Sequence, residues 1–218
     1  NEEINKETTH TLAIKQDGEK VADATYGLQG MVSADMPNKG INVVYGLTTL
    51  KLAEGKQLEL RPAGDTQDDA TLTAQLTGEG GLLINKAGDL AEVSISNADN
   101  KFTGQTTVKG GTLKLLSSNA LGQKDSHTEK VALENGSALA LVGEEAKPIS
   151  AYAGALSTTD ESKVTLTAAN LNLSHRKEKA STIAKANTLS GDKHSTITLL
   201  GTDKDSSLTI HGAQDRFA

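Results

Sequence analysis

The pentapeptide Gly191-Asp192-Lys193-His194-Ser195 puts an acid, an imidazole and a hydroxyl within five residues. These are the residue types that make a nucleophilic serine. The spacing argues against that chemistry: a GDSGS-type motif keeps small residues after the aspartate so that backbone N–H groups can hold an oxyanion, and here Lys193 and His194 occupy those places. The run reads as a turn ahead of a strand at Ile197. Asp65, Asp68 and Asp69 cluster the carboxylates that hard cations select. Neither an EF-hand loop nor a calcium-binding nonapeptide is present, so the cluster reads as a solvated turn. His10, His127, His175, His194 and His211 show no HxH or HxxxH spacing, and the chain has no cysteine. No metal and no cofactor is expected.

Glycan cleavage needs convergent carboxylates, and Asp65, Asp99, Asp125, Asp160, Asp192 and Asp203 fall mostly in turns without a recurring basic neighbour. Side chains able to stack on sugars are few: Tyr26, Tyr45, Phe102, Tyr152 and Phe217. A catalytic role is therefore the lesser reading, and the chain is expected to be non-enzymatic. A net charge of -6 without a long basic run argues against nucleic acid. No apolar stretch approaches the ~20 residues of a membrane helix, so no membrane insertion is expected. The first residues lack the basic start and apolar core of a signal peptide; if the protein is exported, that signal and any membrane barrel lie outside this sequence.

What must position any site is a series of short strands. Ile41-Asn42-Val43, Leu50-Lys51-Leu52, Leu58-Glu59-Leu60, Val131-Ala132-Leu133, Leu139-Ala140-Leu141, Val164-Thr165-Leu166, Leu171-Asn172-Leu173, Ile197-Thr198-Leu199 and Leu208-Thr209-Ile210 each set two aliphatic residues around one residue of the opposite face. Their recurrence at about one coil's spacing is the mark of a solenoid. Aromatic residues make up 2% of the chain, which suits an interior of stacked Leu, Ile and Val rows. The spacing predicts a single all-β unit over 1–218. Its first coil, 1–39, is poorly patterned, and regular coils follow over 40–218. Excursions are expected at 119–130, 144–162 and 174–190, the last being the only stretch of helical composition and read as a charged loop. At about 20 to 25 residues a coil, this amounts to about nine coils and ~40 to 45 Å of rod.

The most regular unit runs from Asn97 to Gly122. Within it Phe102, Thr103, Gly104, Thr106, Thr107, Val108, Gly110, Gly111, Thr112, Leu113, Ala120, Leu121 and Gly122 match a pattern of an aromatic, Thr-Gly-x-Thr-Thr-Val, a Gly-Gly-Thr-Leu turn and a closing Ala-Leu-Gly. This resembles the passenger-associated transport repeat of bacterial autotransporters, and the Leu-Thr-Gly-x-Gly-Gly-Leu run before it is similar to the family as well. The resemblance covers about a tenth of the chain. It implies a right-handed parallel β-helix displayed at the bacterial surface, with the repeat assisting secretion by folding outside the cell.

Leu113 and Leu115 are expected to point inward and Lys114 outward, and Gly110 and Gly111 to adopt positive φ or lie against neighbouring backbone. Polar residues at coil edges, with Thr106, Asn135, Thr165 and Asn172 as a candidate ladder, are expected either to pair with the same ladder on another molecule or to keep the rod soluble. The resemblance implies adhesion, cell–cell aggregation and biofilm formation through multivalent contacts, with homotypic association or a host surface or matrix ligand as partner. The other readings are a structural stalk and, less favoured, a polysaccharide-degrading β-helix.

Overall fold

The aliphatic pairs of the sequence become strands because alternation sends both to one side, and a strand buried on that side needs a partner above and below. The computed structural model describes residues 10–32, 41–62, 69–159, 161–175, 180–184, 188–200, 205–210 and 216–217. It opens with three antiparallel strands, β1 (His10–Gln16), β2 (Glu19–Val32) and β3 (Ile41–Leu52). The end of β3 then pairs in parallel with Gln75–Gly78, Thr49 opposite Gln75 and Leu52 opposite Gly78. From there the chain winds as a right-handed parallel β-helix of about six turns.

Each turn passes through three faces. The second face stacks Gln57–Leu60, Gly81–Ile84, Thr106–Val108, Val131–Leu133, Leu156–Thr158, Ala180–Ile183 and Ser207–Ile210. The third stacks Ala70–Leu72, Glu92–Ile95, Thr112–Leu115, Ala138–Val142, Lys163–Thr167, Thr188–Gly191 and Arg216–Phe217. The first face is strand only at its ends, with Ile149–Ala153, Ala169–Leu173 and Thr196–Leu199 forming its upper sheet. Register is strict: Leu82, Thr106, Val131 and Leu156 lie in one row, at steps of 24 or 25 residues.

The interior is made of such rows. On the third face Val93, Leu113, Leu139 and Val164 form one row, and Ile95, Leu115, Leu141 and Leu166 another, all buried. Phe102, fully buried, is the largest side chain of the core. Between the second and third faces the chain turns at Gly110 and Gly111. Gly111 has φ 57, and a Cβ there would run into the Ala91 carbonyl oxygen. Gly110 keeps ordinary φ, but a Cβ would meet the Lys86 carbonyl, so the pair is needed for backbone approach as much as for a left-handed turn.

Several expectations change. Residues 41–43 and 50–52 belong to one 12-residue strand; 50–52 stacks in parallel on the first coil, but 41–43 lies in the antiparallel part and is not a rung, because alternation looks the same in antiparallel and parallel sheets. The described part of 1–39 is likewise an antiparallel hairpin rather than a coil. With the cap taking the chain to residue 52 and a turn needing about 25 residues, the seven rungs of the second and third faces span about 29 Å, shorter than the nine coils expected. In 119–130 only the small hairpin Gly122–Gln123/Ser126–His127 leaves the coil. In 144–162 the departure is the Glu144–Lys147 turn, while Ile149–Ala153 and Leu156–Thr158 are rungs. In 174–190 the described residues include the rungs Ala180–Ile183 and Thr188–Gly191; 176–179 and 185–187 lie outside the described residues.

The rung Thr112–Leu115 makes the packing testable. Leu115 is fully buried, whereas Lys114 is half-buried on the outside with Nζ 3.0 Å from Glu92 Oε1. Leu115→Ala is expected to lower unfolding free energy by about 2 to 5 kcal/mol and Lys114→Ala by less than about 1 kcal/mol, read from urea melts of the two variants.

Candidate functional site

The unit 102–122 covers most of one coil, including its strands on the second and third faces. Phe102 closes the first face from inside, and Thr103 N donates to Gly78 O across the coil. Gly104 lies so close to Gly80 and Gly81 that a Cβ would overlap their backbone. Thr106–Val108 and Thr112–Leu115 do not pair with each other as a hairpin would. They belong to separate sheets, each bonded to the coil before and the coil after. Ala120 and Leu121 return to the core, and Gly122, at φ 109, begins the hairpin.

The four residues of the candidate ladder do not stack. Thr106 points inward, fully buried, its hydroxyl 3.1 Å from that of Thr128. In Thr106-Thr107-Val108 the first and third residues share the inner face, so Thr106 takes the place that Leu82 and Val131 hold in neighbouring rungs. Thr107 faces out but is nearly covered, with its hydroxyl accepting from Gln57 Nε2 at 3.2 Å and Gln105 Nε2 at 2.9 Å. Asn135 is exposed in a left-handed turn, φ 52. Asn172 is on the first face, buried, donating to Ala151 O at 3.2 Å.

Asn172 belongs to the first-face row of Tyr152 and Thr198, and Thr165 to a separate outward row, that of Thr71, Ser94, Lys114, Ala140 and Ser190 on the third face. In the upper part of this face the outward residues Ala138, Ala140, Val142, Thr165, Thr167 and Ser190 are small or uncharged. Lys163 is the one charge among the described side chains of those three rungs that faces out.

Ser195 is held rather than poised. Its hydroxyl donates to Asp192 Oδ1 at 2.7 Å and accepts from Ala169 N at 3.2 Å. The Ser195 hydroxyl, followed by the backbone N–H groups of Ala168 and His194, holds the Asp192 carboxyl below the usual carboxylate range, so the run GDKHS caps a corner. Asp65 and Asp68 lie outside the described residues, and Asp69 accepts from Glu92 N. Among the described residues no group of three His, Asp or Glu side chains is arranged to hold a metal ion.

A serine–histidine pair that spacing could not reveal joins residues 47 apart. His127 Nδ1 lies 2.9 Å from Gln123 O and its Nε2 lies 2.8 Å from Ser174 Oγ. With the carbonyl as acceptor, Nδ1 carries the proton and Ser174 donates to Nε2, the polarity of a nucleophile and its base. The backbone N–H groups of Ser174 and His175 are both spent on the rung below, on Ala153 O and Gly154 O, so neither is left to hold an oxyanion. The pair pins the 122–127 hairpin to the coils, beside Tyr152, whose ring centroid is 6.2 Å from that of His127. At the corner between first and second faces, Glu54, Glu79 and Glu129 line an open polar groove of about 460 Å³ that also includes Lys56 and Gln105.

No family model matches this chain, and no solved structure does. Two curated proteins of Escherichia coli strain K12 are similar to it. The uncharacterized lipoprotein YdeK is 32% identical over 154 residues, covering 70% of this chain and 11% of the relative. The uncharacterized protein YuaQ is 38% identical over 113 residues, covering 50% and 8%. The chain thus spans about a tenth of the length of the curated relatives it matches.

His175 sets a pH dependence. It is buried, its Nε2 lies 2.8 Å from Ser181 Oγ, and Nδ1 has no partner among the described residues. Burial lowers its pKa from the ordinary 6.5, so the unfolded chain binds a proton near that pH that the folded chain refuses. The contribution is intact above about pH 6.5 and is lost as pH falls below it. Between pH 8 and pH 5.5 the melting temperature is expected to fall less for His175→Gln than for the unchanged chain; equal falls would contradict this role.

Proposed function

We propose that this chain is a stretch of a non-enzymatic autotransporter passenger, displayed on the outer face of a Gram-negative bacterium, which holds cells to one another or to a surface through repeated weak contacts along its rod. The observation that carries this reading is the upper third face. Its in-register row of Ala140, Thr165 and Ser190, beside Ala138 and the single charge of Lys163, offers backbone-close, nearly uncharged ground on which another rod can lie. Each contact is weak, and many molecules per cell supply avidity. The regular coil that holds 102–122 supports the passenger assignment. The lipoprotein name of one relative supports a cell-envelope location, to which the proposal adds the outer surface. In this reading the repeat coil also draws the chain outward as it folds.

Beads of two colours densely coated with the chain are expected to form mixed clumps that an excess of soluble chain disperses. Placing two lysines on each copy, by Ala140→Lys with Thr165→Lys, puts like charges face to face and is expected to abolish most clumping without unfolding the rod. Dispersed beads from the unchanged chain would instead favour the stalk reading, in which these coils lift another domain.

A further inference from the structure

The apolar face of the cap sheet outruns the solenoid it covers. Where β2 and β3 lie over the coils, Ala22, Ala24, Leu50 and Leu52 are buried. Farther along the same face the side chains emerge, Leu28 52% and Tyr45 49% exposed, and on the edge strand β1 Leu12, opposite Ala24, is 56% exposed. Register places His10 opposite Tyr26, and Leu28 opposite Tyr45. The Tyr26 and Tyr45 rings stack with centroids 6.3 Å apart and planes 19° apart. His10 meets Tyr45 edge-on, its Nδ1 2.5 Å from the hydroxyl. The chain has no tryptophan and three tyrosines, and its core is filled by aliphatic residues and Phe102. Two of the three tyrosines are therefore gathered on one half-open face, held in place by an imidazole.

The geometry points to a binding platform for a neutral saccharide. The C–H face of a pyranose ring lies on the exposed ring of Tyr45, which Tyr26 backs from the core side, and its hydroxyls bond to the Tyr26 hydroxyl and the imidazole of His10. Aromatic rings with a polar edge suit a ligand that is apolar on one face and polar around its rim. The described side chains of this sheet face include no carboxylate and no lysine or arginine, so the sugar is uncharged. This deepens the adhesive reading by giving its surface or matrix ligand a chemical class, and it rests on that reading only for its biological setting.

Tyrosine emission, undisturbed by tryptophan, reads the site directly. The 218-residue chain is titrated with cellohexaose, maltohexaose and an N-acetylglucosamine hexamer. At least one is expected to change the emission saturably, with affinity falling about tenfold or more in Tyr45→Ala, staying within about threefold in Tyr45→Phe and unchanged in Tyr152→Phe. Should Tyr45→Ala unfold the cap, saturation-transfer NMR on the unchanged chain reads the same contact, as transfer from tyrosine ring protons to sugar C–H protons. No saturable change with any of the three sugars, or equal affinity in a folded Tyr45→Ala, overturns the proposal. So does loss of bead clumping in Tyr45→Ala without sugar binding, which marks a protein contact. Sugar binding without any clumping of the unchanged chain would sink the self-association and leave this platform standing.

Discussion

Parallel register between coils governs everything else in this molecule. Once Thr106 sits over Leu82 and under Val131, every residue of the turn is committed inward or outward by alternation, and a slip of one residue would exchange the two sets. The chain guards that register by two means. Aliphatic rows such as Ile95, Leu115, Leu141 and Leu166 reward correct stacking with complete burial. At the corners, glycines such as Gly104 allow backbones to approach more closely than any Cβ permits. Polar groups inside the coil reinforce this: Asn100 accepts from Leu76 N through Oδ1 and donates to Ala120 O, tying three successive coils together.

A stack of this kind leaves unpaired edges, which invite other strands. The antiparallel cap answers part of this at the N-terminal end. The Gln16 side chain acts as a piece of strand, donating from Nε2 to Glu59 O at 3.0 Å and accepting from Glu59 N at 2.8 Å. Lys56 pairs with Glu19 from the same hairpin, lowering the Glu19 pKa. The cap thus grips the first rung of the second face with one amide and one ion pair while its apolar face covers the end of the core.

The sequence carried those features whose signal is local. The solenoid of recurring strands, the inward Leu113 and Leu115, and the role of Gly110-Gly111 follow from alternation, recurrence and the demands of a tight turn, and the resemblance of 102–122 added the parallel β-helix. Features that depend on which coil lies beside which were hidden. Thr106 looked like an edge residue because threonine is polar; its burial rests on a hydroxyl partner, Thr128, known only once the coils are stacked. Ile149–Ala153 passed for loop because Pro148 and the paired glutamates before it are strong turn signals, yet alternation holds in Ile149-Ser150-Ala151-Tyr152-Ala153. The His127–Ser174 pair and the stacked tyrosines needed register for the same reason. The ladder Thr106, Asn135, Thr165 and Asn172 failed as a set because its members were chosen by type, not by row.

The functional account rests on the third face as a contact surface between rods. The chain has no cysteine, so single thiols can be placed at will. Two variants, Ala140→Cys on the third face and Ser157→Cys on the outer side of the second, would be packed densely on beads and treated with a bis-maleimide of about 10 Å reach, the spacing of sheets packed face to face. The account predicts that Ala140→Cys yields covalent dimers and Ser157→Cys few. Equal cross-linking from both positions, or none from Ala140→Cys on beads that still clump, would contradict it.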